Sequence, residues 1–294
     1  MDDVRRIADA VLYEGYLLWP YTRSALKNQR RWTWGGAYPP AHSAEHPDDR
    51  CVLRAQCLLR GDASALDVTV RFLQVVRRQV LLAGRPVDSA RVGDASWLTW
   101  EEAVERELPP GPVHVPAGSA RESVGEGVEV ERSWRELRGH VTLELEPLRE
   151  EVHRLTLTIA NTTPFAGTRE EALLQTMCST HGVLRGATFL SCADPPEGLE
   201  RACASEGLWP VLLDDQTMLC SPIILEDRPR IAPESPGDLF DGGEVDELLV
   251  LNILALTDEE KAEMRDSDPR AKEILERTEG LSEDQLLRLH GAWR

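Results

Sequence analysis

Residues 127–161 read GVEVERSWRELRGHVTLELEPLREEVHRLTLTIAN, and three times within them apolar side chains alternate with polar ones. Val128 and Val130 alternate with Glu129 and Glu131, then Val141, Leu143 and Leu145 with Thr142, Glu144 and Glu146. Leu155, Leu157 and Ile159 alternate in turn with Thr156 and Thr158. A period of two puts one kind of side chain on each face of a strand. Each strand here has one dry and one wet face, the pattern of antiparallel sheets packed into a sandwich.

Upstream, Cys51, Leu53, Ala55, Cys57 and Leu59 repeat the period as far as Gly61-Asp62. A second strand follows through Leu66, Val68, Val70 and Phe72, after which Leu73 and Val75 take over the apolar phase, as a bulge requires. Residues 84–124, with Pro86, Pro109, Pro110, Pro112 and Pro116, read as a connection holding one helix near 99–107. Thr99 and Glu102 have capping-box spacing there, as do Thr168 with Glu171 and Thr257 with Glu260.

Downstream, a helix is expected over 168–181, with Leu173, Leu174, Met177 and Cys178 on one stripe and Gly182 ending it. Short strands follow at 183–190, 209–213 and 217–225. The Pro, Gly and Asp-rich 228–243 is a loop, and 244–256, 258–266, 269–279 and 282–290 read as helices. At the other end Val4, Ile7, Ala8, Val11, Leu12 and Tyr16 recur at helical spacing over 2–18, and Pro20 stops the run. The expected class is therefore α+β: an antiparallel β-sandwich-like core, an N-terminal helix and a C-terminal helical segment. Residues 1–227 form the mainly β core, and 228–294 an acidic loop with helices packed on it.

The chain has 294 residues, 41% of them hydrophobic, enough for a substantial core. Its 51 acidic against 33 basic residues give a net charge of -18, which argues against a general nucleic-acid binder. No segment has the apolar length of a membrane span and the N-terminus lacks a signal-peptide run, so a cytoplasmic location is expected. Six cysteines are too sparse for a disulfide framework and are expected to be thiols.

Against this acidic background, residues 12–40 hold seven of the sixteen aromatic side chains and all four tyrosines. Tyr13, Tyr16, Trp19, Tyr21, Trp32, Trp34 and Tyr38 are interleaved with Arg23, Lys27, Arg30 and Arg31. Tyr, Trp and Arg dominate interface hot spots, so Tyr13 through Trp34 make a candidate partner-binding ribbon. Packing of the ribbon against the acids Glu234, Asp238, Asp241, Glu244, Asp246 and Glu247 accounts for the same residues without a partner.

Metal-ligand candidates are Cys178 with His181 in MCSTHG, and His42 with His46 in PPAHSAEHPDD, which has Glu45, Asp48 and Asp49 beside it. The plain alternatives are a core cysteine with a histidine at a helix end, and a solvated loop. Cys192, Cys203 and Cys220 fit no compact ligand spacing. The acidic 234–247 run does not reproduce a calcium loop. Phosphate-loop, dinucleotide and nucleophile-elbow motifs are absent from the sequence, and no cofactor is expected.

Two long blocks, LYEGYLLWPYTRSALKNQRRWTWG (12–35) and SPIILEDRPRIAPESPGDLFDGGEVDELLVLNILALTDEEKAEMRDSDPRA (221–271), resemble a bacterial protein family. That family is encoded among nickel-iron hydrogenase structural and maturation genes, notably in actinobacteria. The resemblance implies a cytoplasmic accessory to hydrogenase assembly, cofactor insertion or complex formation, and the leading expectation is a non-enzymatic accessory protein that binds a hydrogenase subunit or maturation factor. It carries no catalytic residue onto particular positions. A metal-binding enzyme or metal-delivery protein using the Cys and His candidates, and an interaction module unrelated to hydrogenases, are the alternatives.

Overall fold

The computed structural model describes residues 3–14, 34–93, 95–230, 253–267 and 269–282. Helix α1 (Asp3–Glu14) and the short α2 (Pro40–Glu45) precede β1 (Val52–Arg60) and the long β2 (Asp67–Leu82). Six short or medium strands follow: β3 (Arg85–Val87), β4 (Ser89–Val92), β5 (Ala95–Leu98), β6 (Trp100–Leu108), β7 (Gly111–Val115) and β8 (Gly118–Gly125). Then come β9 (Val128–Trp134), β10 (Leu137–Arg149), β11 (Val152–Asn161), α3 (Arg169–Leu173), β12 (Cys178–Arg185) and β13 (Thr188–Leu190). The described chain ends with β14 (Trp209–Asp214), β15 (Thr217–Ser221), α4 (Asp258–Ser267) and α5 (Pro269–Glu279).

One sheet has the order β13-β1-β11-β10-β7, the other β14-β15-β12-β2-β9-β8, with β6 and β3 also paired to β2. All named strand pairs are antiparallel. The sixteen residues of β2 serve two partners on each edge in succession. Along one edge it pairs β12 over Asp67–Leu73 and β9 over 77–82, along the other β6 over 70–78 and β3 over 80–82.

The sheets bury their apolar faces against each other, as the alternation in 127–161 and 51–59 predicts. Leu53, Ala55, Cys57 and Leu59 of β1 and Leu155, Leu157 and Ile159 of β11 meet Val68, Val70 and Phe72 of β2, with Leu184, Met218 and Cys220 beside them. On the outer face of the second sheet, Ala8 and Val11 of α1 cover Val183, Val211 and Leu219. Asp9 of α1 holds Arg71 of β2 at 2.6 Å, and Arg71 is also paired with Glu105 and Glu107 of β6. Among the described residues no helix is long and apolar enough to cross a membrane.

Three expectations are corrected. Residues 99–107 are β-structure, not a helix: β6 pairs β2 without a break from Leu108 to Trp100. The Thr99 hydroxyl donates to the Val87 carbonyl at 2.7 Å and accepts from the Val80 amide, while Glu102 faces Arg78 and Arg132. The region 84–124 is accordingly a run of strands, β3 to β8.

The 168–181 helix stops after Leu173, and Gly182 lies within β12. Leu173, Leu174, Met177 and Cys178 are all buried, but Leu173 ends α3, Leu174 caps it, Met177 bridges Ala37 and Cys178 opens β12. Finally, Leu73 and Val75 mark no bulge in β2. That strand is covered on both faces, its outer apolar residues meeting Leu12, Leu173 and Leu174. The irregularity lies in β12, between Cys178 and His181, where Ser179 has φ +49°.

The Thr168–Glu171 capping box forms as read, and Thr257 and Glu260 exchange the equivalent bonds ahead of α4. Helices α4 and α5 match the expected 258–266 and 269–279 within a residue. Arg78 of β2 donates to the Asp266 carbonyl at 3.2 Å, which ties α4 to the sheet.

Candidate functional site

A cleft of about 620 Å³ opens at one end of the sandwich, where residues 34–38 enter the described fold. This entry segment is strapped to the stretch ahead of β12 and into its start. Ala37 exchanges backbone bonds with Met177 at 2.9 and 3.1 Å, and Thr180 N–H donates to the Gly35 carbonyl at 2.9 Å. Asn161, at the end of β11, locks the strap: its Nδ2 donates to the Ala37 and Gln175 carbonyls, both at 2.8 Å, and its Oδ1 accepts from Thr163. The Asn is 1% exposed, so each of these bonds replaces water that cannot enter.

Trp34, Tyr38 and Leu53 line the cleft, and Gly207, Trp209 and Pro222 close it from the far side. Gly207 (φ +72°) bridges Arg54 of β1, and a Cβ there would meet Leu53 Cδ2 at 2.6 Å. Gly35 (φ +61°) touches Pro222 so closely that a side chain would collide with it. Both positions therefore need glycine for the walls to approach.

The rim is built by α2 and the turn after it. His42 is 4% exposed and stacks on Tyr38 with ring centroids 5.1 Å apart, while His46 tilts against its other side at 4.5 Å. His42 Nε2 lies 2.8 Å from Asp49 Oδ2, and Arg169 Nε reaches the same oxygen at 3.3 Å. A carboxylate only accepts, so His42 carries its proton on Nε2. Burial pushes the Tyr38 phenol up, and the neighbouring Cys178 and Asp49 add to the shift. The phenol is thus a neutral wall. The cleft combines two indoles, an aromatic stack and charges of both signs, Arg50 and Arg169 with Glu45, Asp48 and Asp49.

The sequence candidates are distributed as follows. Trp34 of the ribbon and His46 of the histidine pair line the same cleft, and His42 supports its floor. Tyr13 lies in α1, and its side chain is outside the described residues, as are Tyr16, Trp19, Tyr21, Arg23, Lys27, Arg30, Arg31 and Trp32. The acidic stretch 234–247 is outside them too, so its pairing with the ribbon is not part of the described fold.

Cys178 and His181 face the outer side of β12, opposite Leu73 and Arg71 of β2, roughly 7 Å apart along the strand. His181 is fully buried, and burial with the adjacent Arg71 lowers its pKa to about 3. So low a value makes it a poor general base at neutral pH. Its Nδ1 lies 3.2 Å from the Ser179 carbonyl. Among the described residues no three or more His, Cys, Asp or Glu side chains gather as a metal site would.

Arg50, Arg169, Gly207, Trp209 and Pro222 complete the cleft and were not singled out from sequence. Trp209, between Gly207 and Pro210 at a strand start, was the one visible signal among them. Comparison with known proteins adds no assignment: no protein-family model matches the chain, and no curated protein matches it.

Proposed function

We propose that this chain is a non-enzymatic accessory protein that docks onto another protein through the Trp34–Trp209 cleft and the aromatic-basic ribbon leading into it. The resemblance of 12–35 and 221–271 to proteins encoded with nickel-iron hydrogenases makes the partner a hydrogenase subunit or maturation factor. The supporting observation is the cleft. It is lined by Trp34, Tyr38 and Trp209 together with Arg50, Arg169 and three carboxylates. An apolar floor inside a polar, charged rim is the composition of a protein-recognition hot spot. Its size suits one or two inserted side chains of a partner segment.

Replacing Trp209 by Ala is expected to weaken partner binding at least about thirtyfold, a hot-spot loss of about 2 kcal/mol or more. Titration of the purified partner against wild type and variant measures it. The Arg50→Glu variant, at a side chain that is 44% exposed and lies 3.9 Å from Glu206, checks the result at a second position of the cleft. Retention of full affinity in both variants refutes the cleft as the docking point.

A further inference from the structure

Cys192 and Cys203 flank the segment ADPPEGLERA (193–202), and the fold brings both ends of that segment to one short stretch of β1. Leu190 of β13 pairs with Leu58, which sets Cys192 just beyond, packed against the main core. On the return, Arg154 donates to the Ala202 carbonyl at 2.7 Å and Ala204 N–H donates to Gln56 Oε1 at 2.8 Å. Arg154 is itself the pairing partner of Leu58 in β11. Cys203 is therefore fixed on both sides over residues 56–58, the stretch to which the Leu190–Leu58 pair also brings Cys192.

Internal bonds hold the segment as two tight turns, Leu199 to the Pro196 carbonyl and Ala202 to the Leu199 carbonyl, both at 3.0 Å. Cys192 and Cys203 are each partly exposed, whereas Cys57, Cys178 and Cys220 are buried. Cys51, also partly exposed, precedes the opposite end of β1, about 20 Å from Cys57.

We propose that Cys192 and Cys203 are a thiol redox pair that closes reversibly to an intramolecular disulfide by exchange with a small disulfide. Cys192 is the attacking sulfur. The adjoining Cys203 thiol and the Leu58 backbone lower its pKa against the opposing burial, which favours the nucleophilic thiolate. The thiolate attacks one sulfur of the small disulfide, forming a mixed disulfide and expelling one thiolate.

Cys203 is pushed up chiefly by the adjoining Cys192, with burial next, and is the protonated partner. Once Cys192 is capped, its negative charge is gone and Cys203 ionises more readily. Cys203 then releases its proton to water and attacks Cys192 Sγ, expelling the second small thiolate. Two protein thiols have lost two electrons, and one disulfide has become two thiols.

The test exposes the folded, fully reduced chain to oxidised glutathione, blocks the remaining thiols and digests with trypsin. Cleavage after Arg201 separates the two cysteines, so a linked peptide, with fragmentation distinguishing Cys203 from Cys220, reports the bond directly. The expected result is a Cys192–Cys203 link in the wild type, opened again by excess reduced glutathione. In Cys203→Ser a stable glutathione adduct accumulates on Cys192. In Cys192→Ser modification of Cys203 slows about tenfold or more, reflecting the lost thiolate. A link from Cys192 to Cys57 or Cys220, or no link while Cys192 becomes glutathionylated, overturns the proposal. The wild-type readout stands even if a variant folds poorly.

Discussion

At the residue scale, Asn161 holds together three segments distant in sequence: the entry strap, the end of β11 and the stretch before β12. Its replacement by Ala strips the Gln175 carbonyl and the Thr163 amide of that partner in a dry environment. The expected loss is about 3 kcal/mol of unfolding free energy, measured by denaturant titration. His181 gives a pH signature instead. Folded, its pKa is lowered to about 3; unfolded, it titrates near 6.5.

Between those values the unfolded chain binds a proton that the folded chain refuses, so stability is full above about pH 6.5 and is lost as pH falls toward 3. From pH 7 to pH 5 this group alone removes about 2 kcal/mol. That increment should be missing in His181→Leu when both proteins are titrated at each pH. Little of this was legible in the letters. Thr168 and Glu171 announced their cap because both partners are local, whereas Asn161 reaches Ala37 across the chain and His181 depends on a bulge that no periodicity reports.

At the element scale, β2 is the strand on which the second sheet is assembled, and its solvent-side neighbours are joined by charge. Glu102 of β6 lies between Arg78 of β2, at 3.1 Å, and Arg132 of β9, and is 8% exposed. Removing the carboxylate in Glu102→Ala leaves two guanidinium groups facing each other, one of them buried. A destabilisation of about 3 kcal/mol is expected in thermal or denaturant unfolding, with Arg132's partial exposure moderating the cost.

Thr99 and Glu102 have the spacing of a helix cap, but β2 offers Trp100–Leu108 a full antiparallel ladder, and long-range pairing overrides a local signal. In 168–181 the short α3 is genuine. Beyond it the apolar stripe fits a helix face as well as a strand buried on both sides, and only the neighbouring β2 and β15 decide. The alternating strands of 127–161 and 51–59 were legible because each has one wet face.

At the scale of the whole molecule, the two sheets share one core, and the cleft is lined by Trp34, the last residue of the candidate ribbon. The sequence pointed to Trp34 by composition and to His46 by its acidic neighbours. Their common location was out of reach, because Gly207, Trp209 and Pro222 arrive from the far end of the chain.

Cleft and ribbon bear on a single claim, that the chain works by holding a nickel-iron hydrogenase subunit or maturation factor. Affinity capture from the native host tests it most directly, with wild type and the Trp34→Ala/Trp209→Ala double variant expressed at equal level and the bound proteins identified by mass spectrometry. The account predicts a hydrogenase subunit or maturation factor on the wild type, depleted at least about tenfold on the variant. Absence of any such protein from the wild-type capture, or equal recovery on both, contradicts it.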